Sequence, residues 1–352
     1  MFNPNKILLV KLSSLGDIIH SLHLLDVLRR SYPSSQIHWV VSNRFETLLK
    51  DHPQIDRLHI FQRDRWSKLW RHPTRLREII SFLGNIRRER YDLVIDLQGL
   101  FRSGLISWVS RASQRIGFDS RREMAHWFYN QRVLFPHPEI HAVERNLKLL
   151  TPLEISSEAP NPVLPIDSSA LKNVDQLLSD HQLDTGHPLV AIFPTGRWAS
   201  KVWPLENVAS ACEMLCHHGL RPLILGAPDE KHLSNQLKAH TECDFIDLIG
   251  VTNLPELIAL ISKIDLLIGH DSGPMHIASV LRTPVIALFG PSTPIISGPY
   301  DSPGQTLQNT ELDCLPCMER QCPLQTLECM RQLTGEHVAQ TALEILGISS
   351  TP

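Results

Sequence analysis

Short apolar runs recur along the chain. Each is followed by a polar turn, often with a glycine, and then by a stretch with helical spacing. Lys6-Ile-Leu-Leu-Val-Lys11 runs into Leu-Ser-Ser-Leu-Gly16 and then an amphipathic segment from Asp17 to about Arg30 that stops before Pro33. This reads as strand, loop and helix. Gln36–Val41 is a second strand. Trp66–Arg90 is polar, basic and helical in spacing, Asp92–Asp96 is a buried strand, and Leu97-Gln-Gly-Leu100 turns into another helix. The register then breaks. Residues 151–187 hold four prolines, several serines and a single helical stretch near Ala170–Asp180, as a linker does.

The pattern restarts with strands at Pro188–Phe193, Arg221–Leu225, Asp265–Ile268 and Pro284–Phe289. Helices are predicted over about Leu205–His217 and Gly335–Leu346. Strands alternating with helices specify parallel α/β sheets, here in two halves of similar architecture with no sequence repeat between them. The expected division is 1–165, 166–335 and a final helix and tail at 336–352, which would pack back on the first domain. In open α/β sheets ligands bind where strands end and helices begin, so the polar loops after the strands are the places to look.

Length and charge narrow the partners. The 352 residues allow about two domains. The net charge of -3 hides an asymmetry. Residues 1–150 carry 24 Lys and Arg against 14 Asp and Glu, while the remainder carries 10 against 23. Within Arg57–Arg90 the basic residues outnumber the acidic ten to three, with Trp66 and Trp70 interleaved. Such a bias favours a phosphate-rich partner. No nucleic-acid module is visible, which leaves an anionic lipid head group. No apolar run is long enough to span a bilayer and no signal peptide is evident, so a cytoplasmic protein with reduced cysteines is expected.

Several loops could carry chemistry. In Ser13-Ser14-Leu15-Gly16-Asp17, the carboxylate of Asp17 either complements a helix start or serves as a general base. In Thr195–Pro204, Arg197 and Lys201 suit a diphosphate or form an ordinary solvated loop. In His270–His276, Asp271 or Ser272 caps a helix whose start, at Gly273, bares N–H groups to an anion, and His276 is either core or site. Asp96 at a strand end lines a cleft or caps the next helix. Cys314, Cys317, Cys322 and Cys329, spaced C-x2-C-x4-C-x6-C, could supply four thiolates to Zn²⁺ or be structural thiols.

As an ordered set these segments resemble the ADP-heptose:lipopolysaccharide heptosyltransferases, glycosyltransferase family nine, with the first-heptose branch nearest. The matching pieces are Lys11–His20, Asp96–Leu100, Phe128–Asn130, His141–Arg145, Lys201–Pro204, His270–His276 and Phe289–Pro291. The resemblance implies a GT-B fold, two Rossmann-like parallel-sheet domains facing a cleft. It implies an inverting transfer of L-glycero-D-manno-heptose from ADP-heptose to the Kdo region of lipid A-linked lipopolysaccharide. Asp17 matches the catalytic carboxylate, and Lys201 would steady the departing ADP. Thr195, Gly196, Arg197, Lys201, Glu230, Thr252, Asp271, Ser272, Gly273 and His276 match the donor site. Ser14, Gly16, Arg63, Arg65, Lys68, Gln98 and Arg122 fall in regions that meet the acceptor. The implied setting is peripheral, on the inner membrane of a Gram-negative-type bacterium, with no cofactor beyond the donor substrate and no nucleic acid. A second-heptose enzyme, another nucleotide-sugar transferase of this fold and a non-catalytic binder of anionic glycolipid are the rival readings.

Overall fold

The computed structural model describes residues 2–66, 74–135, 137, 139–158, 160–183 and 186–349. The chain divides into two units, Met1–Pro165 and Ile166–Pro352. In the first, six parallel strands are β1 (Lys6–Val10), β2 (Gln36–Ser42), β3 (Arg57–Phe61), β4 (Leu93–Asp96), β5 (Gln114–Phe118) and β6 (Gln131–Val133), ordered 3-2-1-4-5-6. Ile7, Leu8, Leu9 and Val10 are fully buried, as a central strand covered on both faces requires. The helix Leu15–Ser31 leaves β1 through the Ser13–Ser14 loop, and the helix Phe101–Ser110 follows β4.

The second unit repeats the plan with β7 (Val190–Phe193), β8 (Leu223–Gly226), β9 (Ile246–Ile249), β10 (Leu266–His270), β11 (Val285–Phe289) and β12 (Gly304–Gln308), ordered 12-11-10-7-8-9 and again all parallel. Each sheet grows in one direction from its first strand and then in the other. The strand order therefore reverses between β1 and β4, and between β7 and β10. At such a point the loops leaving the two strands part to opposite faces and leave a crevice for a ligand.

Two expectations change. The helix Gly335–Leu346 is no separate tail. Val338, Ala339, Ala342 and Leu343 are buried with Val208, Ala211, Cys212 and Leu215 in the core of the second unit. A Cβ on Gly335 would stand 2.2 Å from the carbonyl oxygen of Asn207, so only glycine lets the helix start this close. The cysteines are not all thiols either, because Cys216 and Cys243 form a disulfide. The end of the helix Leu205–His217 and the turn before β9 bring their Cα atoms to 6.1 Å, within disulfide reach.

Candidate functional site

The first reversal point is built by β1 and β4. Lys11, one residue past β1, is buried, and its Nζ donates to the carbonyl oxygen of Leu97 just past β4, at 3.0 Å. Gln98 completes the bridge, its Oε1 accepting from the backbone N–H groups of Leu12 and Ser13 at 3.0 and 3.1 Å. The loop before Asp17 is thus tied to the neighbouring strand. Asp17 occupies the first turn of its helix, where Oδ2 accepts from Ser14 N–H at 3.0 Å and Ser14 Oγ–H at 2.7 Å. Its Oδ1 lies 3.7 Å from Lys11 Nζ, and its side chain keeps 39% exposure while Lys11 keeps 6%.

Burial alone would push the Asp17 carboxyl up. The charge of Lys11, the two bonds from Ser14 and the charge of Arg145 outweigh it and hold the group below the usual carboxylate range. The Lys11 ammonium is lowered by its burial, against the field of Asp17. Arg145, from the helix Ala142–Leu147, adds a second cation whose field reaches both groups. The outcome is an ionised, partly exposed carboxylate at a helix start.

Around it the predicted acceptor residues are placed unequally. Arg63 Nη1 lies 3.5 Å from Ser13 Oγ. Arg65 pairs with Glu78 at 2.5 Å, and Arg122 is exposed at the start of the short helical segment Arg122–Phe128. Lys68 lies outside the described residues. Asp96 is wholly buried and accepts from Tyr129 Oη at 2.7 Å and from the N–H groups of Gln98 and Gly99, so it ties the β4 turn. Burial pushes its carboxyl up, against those hydrogen bonds.

The second reversal point is built by β7 and β10. After β7, Trp203 is 1% exposed and its Nε1 donates to the Leu333 carbonyl at 2.8 Å, which fixes the loop that carries Lys201. Lys201 Nζ meets Asp271 Oδ2, just past β10, at 2.5 Å and stands 4.4 Å from the centre of the Trp198 ring. Both side chains of this ion pair are largely buried. His276 Nε2 approaches Asp271 Oδ1 at 3.8 Å. Burial raises the Asp271 carboxyl, but Lys201 and then His276 bring it below the ordinary range. Ser272 is the N-cap of the helix Gly273–Leu281, and its Oγ is buried with no hydrogen-bond partner among the described residues.

Beside this pair, Glu230 Oε2 accepts from Thr195 Oγ1 and from the backbone of Ala227, both at 2.6 Å, joining the loops after β7 and β8. Thr252 follows β9 at the same edge of the sheet, and Arg197 is exposed. Gly196 has a steric reason: a Cβ there would come within 2.1 Å of His270 Nε2. His270 is 1% exposed, and its burial lowers its pKa to about 4.

Each sequence-marked loop therefore opens at a strand's C-terminal end, and the two main clusters straddle the reversal points. Lys11 and Arg145 sat inside quoted motifs without being assigned a part. Their signal was a charged residue next to a buried strand or helix, and nothing in the sequence showed that Asp17 is their partner. Likewise Lys201 and Asp271 were placed separately, and only the adjacency of β7 and β10 pairs them.

Two parallel Rossmann-like sheets with these polar loops place the chain among the GT-B glycosyltransferases. More narrowly, it belongs to glycosyltransferase family 9, the heptosyltransferases, whose family model matches residues 79–328. The chain is 26% identical to the lipopolysaccharide core heptosyltransferase OpsX of Haemophilus influenzae, over 85% of this chain and 83% of that one. It is 29% identical to lipopolysaccharide heptosyltransferase 1 of Pseudomonas aeruginosa, over 93% and 90% of the two chains. The structure of E. coli heptosyltransferase WaaC with ADP-2-deoxy-2-fluoro heptose shares the fold, with TM-score 0.70 and 24% identity over 96% of this chain and 99% of that one.

Proposed function

We propose that this enzyme transfers L-glycero-D-manno-heptose from ADP-heptose to the Kdo/inner-core region of lipid A-linked lipopolysaccharide, with inversion at the anomeric carbon. The reading is supported by family membership and by relatives that act on lipopolysaccharide. The observation that carries it is the ionised Asp17 carboxylate, partly exposed at the first reversal point and held in orientation by Ser14 and Lys11.

The chemistry is a single displacement. Asp17 takes the proton of the acceptor hydroxyl as its oxygen bonds to the anomeric carbon. The bond from that carbon to the β-phosphate oxygen breaks on the opposite face, and ADP departs with the electron pair. Its growing charge is met by Lys201 and by the N–H groups opening the helix at Ser272 and Gly273. Asp271 holds the ammonium in position beforehand. Glu230 Oε2 is already engaged, so ribose hydroxyls would meet Oε1. Thr195, Gly196, Arg197, Thr252 and His276 complete the donor side, and no cofactor is called for. Ser14, Gly16, Arg63, Arg65, Lys68, Gln98 and Arg122 take the carboxylates and phosphates of the acceptor.

An acceptor anchored in lipid places the enzyme at the inner membrane surface as a peripheral protein. Among the described residues no helix is long and apolar enough to cross a membrane. In sequence the His270–His276 motif resembles the second-heptose branch, and the second reading is that an acceptor already carrying one heptose is used.

Product mass analysis decides between them. ADP-heptose is offered with Kdo-lipid A and, separately, with heptosyl-Kdo-lipid A. A heptose added to the first supports the main reading, and addition only to the second selects the other. Addition to neither, by protein that binds ADP-heptose, overturns both.

A further inference from the structure

Large apolar side chains are left exposed on one side of the first sheet. Leu76 and Ile80 stand on the helix Thr74–Arg88, Phe101 and Trp108 on the helix Phe101–Ser110, and Met124 and Trp127 on the segment Arg122–Phe128. Trp108 is 56% exposed and Trp127 66%. The strand order puts both helices on the same side. They lead from β3 to β4 and from β4 to β5, in one direction along the sheet, and right-handed crossovers in one direction lie on one face. The helix Leu15–Ser31 leads the other way, from β1 to β2, and covers the opposite face. It exposes no large apolar side chain, and the chain's own later segment is tied to it, Asn161 N–H donating to Asp26 at 2.9 Å.

The exposed groups are contiguous. The helices Thr74–Arg88 and Phe101–Ser110 pack against each other. Phe101, Gly104, Leu105 and Trp108 recur at helical spacing on one stripe of the second helix. The segment Arg122–Phe128 lies against that stripe. A Cβ on Gly104 would stand 2.5 Å from the Phe128 ring and 3.2 Å from the Ala125 carbonyl oxygen. The rings of Phe101 and Phe128 are 5.3 Å apart, and Phe101 N–H donates to Glu123 at 3.2 Å. Charge singles out what would cover such a face. Arg77, Arg87, Arg102, Arg111, Arg121 and Arg122 are exposed on these elements or beside their ends, and their guanidinium groups have no partner among the described residues. The acids within the three elements are engaged, Glu78 by Arg65 and Trp66 and Glu123 by Phe101. Indole rings set among guanidinium groups suit the head-group layer of an anionic bilayer. A second copy would bring the same positive face against it and be repelled.

We propose that the face made by the helices Thr74–Arg88 and Phe101–Ser110 and the segment Arg122–Phe128 docks on an anionic phospholipid bilayer, with Trp108 and Trp127 entering the head-group layer and the arginines meeting lipid phosphates. The use of this docking rests on the reading of a lipid-anchored acceptor given above; the docking itself does not. Phe101 follows directly on the β4 turn, whose Leu97 carbonyl holds Lys11 beside Asp17. The face therefore starts at the strand ends where Asp17 opens, and an acceptor held in the bilayer would meet the carboxylate at its margin.

The test is co-sedimentation of the full chain with vesicles that contain no lipopolysaccharide. Vesicles of phosphatidylethanolamine and phosphatidylglycerol should bind it, vesicles of phosphatidylcholine should bind it at least tenfold more weakly, and about 1 M salt should screen the difference. A guanidinium at the surface is worth about fivefold in lipid affinity, so Arg102→Gln/Arg111→Gln should weaken binding about 25-fold. Trp108→Ala/Trp127→Ala should weaken it about tenfold or more. Both variants should transfer heptose at the wild-type rate to an acceptor stripped of its acyl chains. Quenching of tryptophan fluorescence by phosphatidylglycerol with brominated chains needs no variant, so it stands even if a variant fails to fold. Wild type that ignores both vesicles, equal binding to both, tryptophan variants that bind as wild type does, or a dimer that those variants dissolve without any vesicle binding would each overturn the proposal. Vesicle binding by protein that transfers no heptose would uphold the docking face and refute the transfer reading.

Discussion

Lys201→Met tests the second reversal point most sharply. The Lys201 and Asp271 side chains are 14% and 9% exposed and meet at 2.5 Å. Removing the ammonium leaves a buried carboxylate with its main counter-charge gone. Breaking a buried pair from one side costs about 3–5 kcal/mol. For a unit of this size about 3 kcal/mol lowers its melting temperature by roughly 6–12 °C. The sign of the pH effect follows from the same balance. Without Lys201, burial raises the Asp271 carboxyl in the folded state above its unfolded value. Protonation then favours the fold, so stability is lost as pH rises through the folded pKa. The variant's deficit against wild type should be largest at neutral pH and shrink as pH falls. Lys201→Met/Asp271→Asn removes both charges and should recover most of the loss. The assay is denaturant unfolding of wild type, both single variants and the double variant at neutral and mildly acidic pH, with ADP-heptose affinity measured alongside. A Lys201→Met deficit below about 1 kcal/mol with no pH dependence would refute a structural ion pair here.

Other outcomes follow from the same geometry. Gly196→Ala forces a Cβ into the His270 ring and should destabilise the second unit by about 1–3 kcal/mol while weakening donor binding; wild-type stability and affinity would show that the loop simply moves aside. Lys11→Met removes the strongest group holding the Asp17 carboxyl down, so the acid limb of kcat/KM, expected below the usual aspartate range, should move to higher pH; an unmoved limb would separate Lys11 from the base. His23, His59 and His270 are lowered by burial from 6.5 to about 4, so the unfolded chain binds more protons between those values. Stability from these groups is complete above about 6.5 and is lost as pH falls toward 4; a flat denaturation midpoint from pH 7 to pH 5 would contradict their burial as neutral rings.

How far the sequence could be read depended on position in the sheet. β1, β4, β7, β8, β10 and β11 are buried, apolar and flanked by turn residues, so their pattern is plain. β3 (Arg57–Phe61), β6 (Gln131–Val133) and β12 (Gly304–Gln308) escaped notice because edge strands expose one side and carry charge and polar groups freely. β5 begins with polar residues, and β9, at the edge of its sheet, has its apolar run interrupted by Asp247. The helices Arg63–Trp66 and Thr74–Arg88 both fall on the predicted basic stretch, and residues 67–73 lie outside the described ones.

For the site, the sequence marked the loops but not the pairings. Asp17, Lys201 and Asp271 each follow a legible strand, yet their partners come from strands that are neighbours only because the order reverses. Gly196 was marked only through the donor-site resemblance, and the close approach of His270, 74 residues later, gives it a steric reason. The Cys216–Cys243 bridge was hidden for a similar reason, since sequence spacing does not report that two Cα atoms lie 6.1 Å apart.

The central claim is that Asp17 takes the acceptor proton. Its most direct test is single-turnover heptose transfer to Kdo-lipid A by Asp17→Ala at saturating ADP-heptose, with folding checked by circular dichroism and donor affinity by titration. A variant that is folded and binds donor normally, yet transfers about 10²–10⁴-fold more slowly than wild type, is the predicted result. A folded variant transferring within about threefold of wild type would contradict the assignment of Asp17 as base.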